Sequence, residues 1–169
     1  MNRILAIDLG HTVGLVVLEV VPGEVPLLLD ASELSQDSLV GTFERHSVVL
    51  ASWLFEVKPT IVVVEDYVVY ATHATRHIGN QLFTAKLVGA IQALCATVIP
   101  PIPVALLPAA KKGRWPDARL KAKFPDGEVF PLDAIRVLSQ SEHVLDALKL
   151  GLVYIEEAGL WKPSESKSE

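Results

Sequence analysis

Three acidic side chains stand where the surrounding sequence is most apolar. Asp8 closes the run Ile4-Leu5-Ala6-Ile7, Glu65 closes Thr60-Ile61-Val62-Val63-Val64, and Asp146 lies inside His143-Val144-Leu145-Asp146-Ala147-Leu148. A carboxylate in such surroundings is costly unless it is paired or binds a cation. Taken singly, each acid also reads as a loop cap or a solvent-facing strand end. Taken together, on the two most apolar strands and one helix, they read as a site. His143 and Asp146 are three positions apart and Glu142 and Asp146 four, so either spacing puts two metal-ligating groups on one helical face. Alone, that helix also reads as one whose acids favour its positive N-terminal end.

Two strand-end carboxylates and a helix-borne acid can hold two divalent ions. Such ions, about 3.5–4 Å apart, activate a water and stabilise the leaving oxygen of a phosphodiester. Mg²⁺ keeps several waters and so needs few protein oxygens. An imidazole in the set suits Mn²⁺ as a substitute. His143 can instead orient the attacking water.

The net charge of −5 argues against a nucleic-acid partner, but it hides a local reversal. Residues 111–124 hold Lys111, Lys112, Arg114, Arg119, Lys121 and Lys123 against the single acid Asp117. A basic strip on an acidic body is an electrostatic footprint for a phosphate backbone, although a solvated loop gives the same pattern. Within the strip, Trp115 can stack on an unpaired base or wedge at a branch point, or it can anchor the loop. His73 and His77 are four apart, a spacing that suits a metal pair but reads better as a solvated segment.

The elements that must position these groups follow from patterning. Residues 3–9, 13–21 and 25–31 are short apolar runs broken by turn residues, which predicts an antiparallel meander. Helical spacing covers 38–58 and stops at Pro59. The β-branched run 60–64 predicts a central strand buried on both faces. Residues 79–96 have helical composition and 102–107 read as a strand. Residues 66–77 are ambiguous, and 132–139 suit a short helix. A helix over 141–158 has Ser141 to cap it and Gly159 to end it. If the first and fourth strands are parallel neighbours, Asp8 and Glu65 meet at their carboxyl ends, where α/β sheets place ligands.

The 169 residues suit one domain over 1–160 followed by a disordered polar tail, 161–169. With 50% hydrophobic and 21% charged residues, the chain has material for a buried core and is not a disordered protein. One cysteine, Cys95, excludes an internal disulfide and a cysteine zinc site, and fits a reducing cytoplasmic setting. No apolar run is long enough to span a membrane. Asp8 comes too early for a signal peptide.

Ile4-Leu5-Ala6-Ile7-Asp8-Leu9-Gly10, followed by Gly14-Leu15-Val16-Val17, resembles the opening of the RuvC-type Holliday junction resolvases. Ile61-Val62-Val63-Val64-Glu65 resembles their second acidic strand. Ile102-Pro103-Val104, Pro108 and Lys112 resemble the strand and lysine that follow. His143-Val144-Leu145-Asp146-Ala147-Leu148 resembles the closing helix, which in that family carries an acid or a histidine three positions before the final acid. The resemblance runs from residue 3 to about residue 155, and its specificity lies in the order and spacing of short motifs, with 57 residues from Asp8 to Glu65 and 78 from there to His143.

The resemblance implies an α/β, ribonuclease-H-like fold: a mixed five-stranded sheet, with an antiparallel three-strand meander plus two parallel strands, flanked by helices. It implies a Mg²⁺-dependent homodimeric endonuclease that nicks four-way DNA junctions symmetrically, with Asp8, Glu65, His143 and Asp146 binding two metal ions and serving catalysis. Glu142 is then a neighbour rather than a ligand. Paired nicks need two sites related by a two-fold axis, which an isologous homodimer supplies. The chain departs from the pattern where the family has a junction-probing aromatic. Val68 stands there, with Tyr67 and Tyr70 beside it. Val88-Gly89 replaces an Arg-Gly pair, with Lys86 nearby. Such drift suits a divergent, phage-encoded resolvase. Lys111, Lys112, Arg114, Trp115, Arg119, Lys121, Lys123, Tyr67, Tyr70 and Lys86 are the candidate DNA contacts.

Two other readings use the same residues. A YqgF-type nuclease on the same fold would act on RNA. Asp8-Leu9-Gly10-His11-Thr12 also resembles the first phosphate loop of actin-like nucleotide-binding modules, which need a second lobe that 169 residues cannot supply.

Overall fold

The computed structural model describes residues 1–10, 12–35, 42–66, 78–123 and 141–162, with only the backbone described for Thr42, 78–82 and 121–123. Five strands form one sheet: β1 (Asn2–Asp8), β2 (Val13–Val20), β3 (Leu27–Leu34), β4 (Ile61–Asp66) and β5 (Val104–Pro108). Their order is β3-β2-β1-β4-β5. β1 pairs antiparallel with β2, and β2 with β3. β1 pairs parallel with β4, and β4 with β5. This is the ribonuclease-H-like arrangement that the sequence implies, with a meander on one side and two parallel strands on the other.

Side chains alternate across a strand, so the sheet sorts its residues between two cores. Leu5, Ile7, Val62 and Val64 point to the face covered by α1 (Thr42–Val57) and α2 (Ile78–Thr97), where they meet Leu50, Leu54, Leu87, Ile91 and Cys95. Trp53 packs partly buried against that cluster. Ile4, Ala6, Val16, Leu18 and Val63 point to the other face. After β5 the chain forms a 3-10 turn, Ala109–Arg114, then α3 (Asp117–Lys123). A long helix, α4 (Glu142–Glu157), lies across the second face with Val144, Ala147, Leu148, Gly151 and Ile155 buried.

α4 is defined at both ends. The Ser141 hydroxyl accepts from the Val144 amide at 3.1 Å and itself donates to Glu33 Oε2 on β3. At the other end Gly159 takes φ +67°, its N–H bonds the Glu156 carbonyl, and the Leu160 N–H bonds Ile155. That pair of bonds is a Schellman ending, which favours glycine. Two further glycines let the helix lie close to the sheet. A Cβ on Gly151 would stand 2.7 Å from Leu18 Cδ1, and one on Gly14 would stand 2.1 Å from the His143 carbonyl oxygen.

The third strand runs Leu27–Leu34 instead of 25–31; the first helix is described from Thr42, and its expected start at 38 lies outside the described residues. The proposed helix at 132–139, the segment 67–77 and the polar tail from 163 lie outside the described residues. Among the described residues, no helix is long and apolar enough to cross a membrane.

Candidate active site

Asp8 stands two residues beyond Ala6 on β1, and Glu65 two beyond Val63 on β4, so period-two alternation turns both toward α4. The parallel register sets Ile7 against Val64, one step before the two acids. Gly14 pairs with Asp8 across the β1–β2 ladder and also receives the first turn of α4. The strands and the helix therefore meet at one point, with Asp8 from β1, Glu65 from β4 and both His143 and Asp146 from α4.

A lysine ammonium occupies that point. Lys112 Nζ, on the 3-10 turn after β5, lies 3.0 Å from Asp8 Oδ1, 2.6 Å from Glu65 Oε2 and 2.8 Å from Asp146 Oδ2. His143 Nδ1 lies 3.0 Å from the other Asp8 oxygen. Lys149 Nζ, one turn along α4, lies 3.1 Å from Asp146 Oδ1 and 3.1 Å from Asp117 Oδ1. Three acids that are remote in sequence thus share one cation.

The electrostatics follow from this crowding. Burial pushes the Glu65 carboxyl above its ordinary range, and Asp8 beside it adds to the rise. Lys112 offsets only part of this. Burial also acts to raise Asp146, but Lys112 and Lys149 outweigh it and hold that carboxyl below its ordinary range. For Lys112, burial works against the charge, but Asp146, Glu65 and Asp8 outweigh it, so the ammonium holds its proton more tightly than a free lysine.

Glu65 Oε2 is buried and, although Nζ lies 2.6 Å away, receives no hydrogen bond of ordinary alignment. That oxygen, two further carboxylates and one imidazole make a hard, oxygen-rich donor set, which fits Mg²⁺ or Mn²⁺. Among the described residues, no three acidic, histidine or cysteine side chains are spaced to hold an ion as they stand. Lys112 fills the centre instead.

The basic strip is braced by acids. Lys111 pairs with Glu157 at 2.8 Å, Arg114 with Glu157 at 2.9 Å, and Arg119 with Glu156 at 2.9 Å. Trp115 is fully buried and stacked on Trp161, with ring centres 6.0 Å apart. Its Nε1 donates to Glu156, and the Arg119 guanidinium sits 4.1 Å over its ring. The ring is therefore the loop's anchor, and it offers no free face to a nucleobase. Lys86 is exposed on α2, apart from this strip. The backbone of Lys121 and Lys123 belongs to α3, while Tyr67 and Tyr70, like His73 and His77, lie outside the described residues.

Patterning did not single out Lys149, Glu156 or Glu157. Lys149 had a readable signal, three positions after Asp146 on one helix. The pairing of Glu156 and Glu157 with a strip some 40 residues earlier had none, because it depends on β5 returning the chain beside the end of α4.

No family model and no curated protein sequence matches the chain. Solved structures do. Thermus thermophilus RuvC in complex with a Holliday junction substrate superposes with a TM-score of 0.64 at 17% identity, over 94% of this chain and 96% of that one. The yeast mitochondrial Holliday junction resolvase Ydc2 gives 0.63 at 13% identity, over 94% of this chain and 80% of that one. The fowlpox virus resolvase, solved with Holliday junction DNA, gives 0.58 at 10% identity, over 92% and 98%. The protein has the ribonuclease-H-like fold of the Holliday junction resolvases. Its strand and helix layout is that of the RuvC structures, in a sequence only 17% identical.

Proposed function

We propose that the protein is a structure-selective endonuclease that resolves four-way DNA junctions by paired symmetric nicks, acting as a homodimer with two divalent ions, Mg²⁺ or Mn²⁺, at each site. The observation that carries this is the convergence of Asp8, Glu65 and Asp146 within 3.0 Å of one cationic nitrogen, at the carboxyl ends of two parallel strands. The likeness to resolvases solved with junction DNA supports the choice of substrate.

Asp8, Glu65, Asp146 and His143 would hold the ions. Bound ions would lower the pKa of a water so that it loses a proton and becomes the nucleophile, and would offer positive charge to the leaving oxygen. The residues of the chain do the rest. Asp8 accepts from His143 Nδ1–H, which fixes the ring and leaves one Nε2 lone pair, either to hold an ion or, instead of that, to orient the attacking water. Lys112, held at the centre by three carboxylates, would yield that place to the ions and turn its charge to a phosphate entering the site. Lys111, Arg114, Arg119, Lys121, Lys123 and Lys86, with Tyr67 and Tyr70, are the proposed backbone and junction contacts.

A cleavage assay on mobile and fixed four-way junctions, with linear RNA alongside, tests this. Wild type with Mg²⁺ or Mn²⁺ should nick junctions symmetrically, and Asp146→Asn should bind the junction without cutting it. Preference for linear RNA would transfer the site to an RNA nuclease. Junctions left uncut with both metals would overturn the reading.

A further inference from the structure

The two oxygens of Asp146 are held by different lysines. Oδ2 faces the shared centre, 2.8 Å from Lys112, and Oδ1 is held at 3.1 Å by Lys149. Lys149 is itself fixed. Its side chain is only 15% exposed, and Asp117, the first residue of α3, pairs with it at 3.1 Å. Its place three residues along α4 brings Nζ back over the preceding turn, onto Asp146. Of the acids at the centre, Asp146 has a second, fixed ammonium on its outer oxygen. Asp8 has an imidazole in that role.

We propose that Lys149 is a positioning residue that limits Asp146 to one oxygen toward a bound cation, and so sets the site's preference for a small ion over calcium. This rests on the reading of the carboxylates as a divalent-ion site. Ca²⁺ takes six to eight oxygens at about 2.3–2.6 Å and readily accepts both oxygens of one carboxylate. Mg²⁺ takes six at about 2.0–2.1 Å, in an octahedron that a chelating carboxylate distorts. An Asp146 whose Oδ1 is committed to Lys149 suits the second geometry and denies the first one chelating oxygen. Without Lys149 the carboxylate is free to turn, and its second oxygen becomes a ligand.

The test is calorimetric titration of the full chain, separately with MgCl₂ and CaCl₂, using wild type, Lys149→Met and Lys149→Arg. Met keeps the packing length without the charge, and Arg keeps a cationic donor. In Lys149→Met the ratio of the Ca²⁺ to the Mg²⁺ dissociation constant should fall about tenfold, while Lys149→Arg should hold the wild-type ratio. Lys149→Gln, polar and of similar length, should shift the ratio the same way by a smaller factor, and it replaces Met if that variant fails to fold. A ratio unchanged in Met and Gln, or both metals weakened equally, overturns the proposal, since a merely structural lysine would move both constants together. Wild type that binds Mg²⁺ without cutting junctions would sink the nuclease reading and leave this inference standing. Wild type that binds neither metal would sink both.

Discussion

Glu65 and Asp146 meet the same ammonium, at 2.6 and 2.8 Å from Lys112 Nζ, yet their acidities move in opposite directions. Burial and the adjacent Asp8 dominate at Glu65. A second lysine tips the balance at Asp146. The site thus contains one carboxylate that the fold tolerates and one that it stabilises.

The linkage signs follow. Asp146 has a depressed folded value, so its contribution is present above its unfolded value and is lost as pH falls through the folded one. Glu65 has a raised folded value, so its contribution is present below its unfolded value and is lost as pH rises through the folded one. In metal-free buffer at pH 7, Glu65→Gln should therefore raise the melting temperature and Asp146→Asn should lower it. Each change should be a few degrees, at about 2–4 °C per kcal/mol for a domain of this size. The gain in Glu65→Gln should shrink as pH is lowered toward the carboxylate range. Both variants should lose cleavage. Melting curves that move the same way for both would contradict this assignment.

Gly14 carries the approach of α4 to β2. Gly14→Ala places a methyl within 2.1 Å of the His143 carbonyl oxygen, against backbone that cannot step aside cheaply. Lifting the first turn of α4 displaces His143 and Asp146 from Asp8. A displacement near 1 Å at a reacting centre costs roughly 100-fold in rate. Cleavage kinetics should show a loss of that order. Gly89→Ala is the control, since nothing lies within 4 Å of the added methyl on an exposed helical position. It should stabilise by about 0.5–1 kcal/mol.

Glu157 neutralises Lys111 and Arg114. Both pairs are about a third or more exposed, so they contribute little to stability. Glu157→Gln should leave the melting temperature nearly unchanged and tighten junction binding. The plot of log affinity against log salt should steepen by about one unit for each additional phosphate that the released cations neutralise. An unchanged slope would mean that these two cations stay off the DNA.

Trp115 gives the opposite pattern. Removing a fully buried indole should cost about 3–5 kcal/mol in Trp115→Ala, and less in Trp115→Phe. The loss should appear in thermal melts before any DNA is added, because the ring holds down the turn that carries Lys112. An Ala variant with normal melting but weakened junction binding would return Trp115 to a base-stacking role.

Much of the fold is legible in the sequence alone. Period-two runs and β-branched composition locate the five strands. The acids at the ends of β1 and β4 stand out because little else in those runs is charged. Ser141 and Gly159 mark the ends of α4 through cap chemistry that is local in sequence. The position of Lys112 at the centre of the acids is not readable, since it depends on where β5 pairs and on the turn that follows. Trp115 misleads for a related reason. Basic neighbours in sequence suggest exposure, but Trp161 and Glu156, more than 40 residues away, supply a stacking partner and an acceptor that bury it. The third strand begins two residues late because the residues after the Pro22-Gly23-Glu24 turn stay outside the β2–β3 ladder.

α4 is one stiff rod with chemistry at its first turn and a charge brace at its last. His143 and Asp146 face the acids of the strands, and Glu156 and Glu157, about three turns on, grip the arginines and lysine of the strip. A polyanion pulling those cations away would act on the far end of the same rod. Tilting there moves the near end against Gly14, where no slack exists. In the proposed nuclease, a long ligand engaging the strip would therefore bear on the alignment of His143 and Asp146 from some 20 Å away (about 1.5 Å of rise per residue along α4).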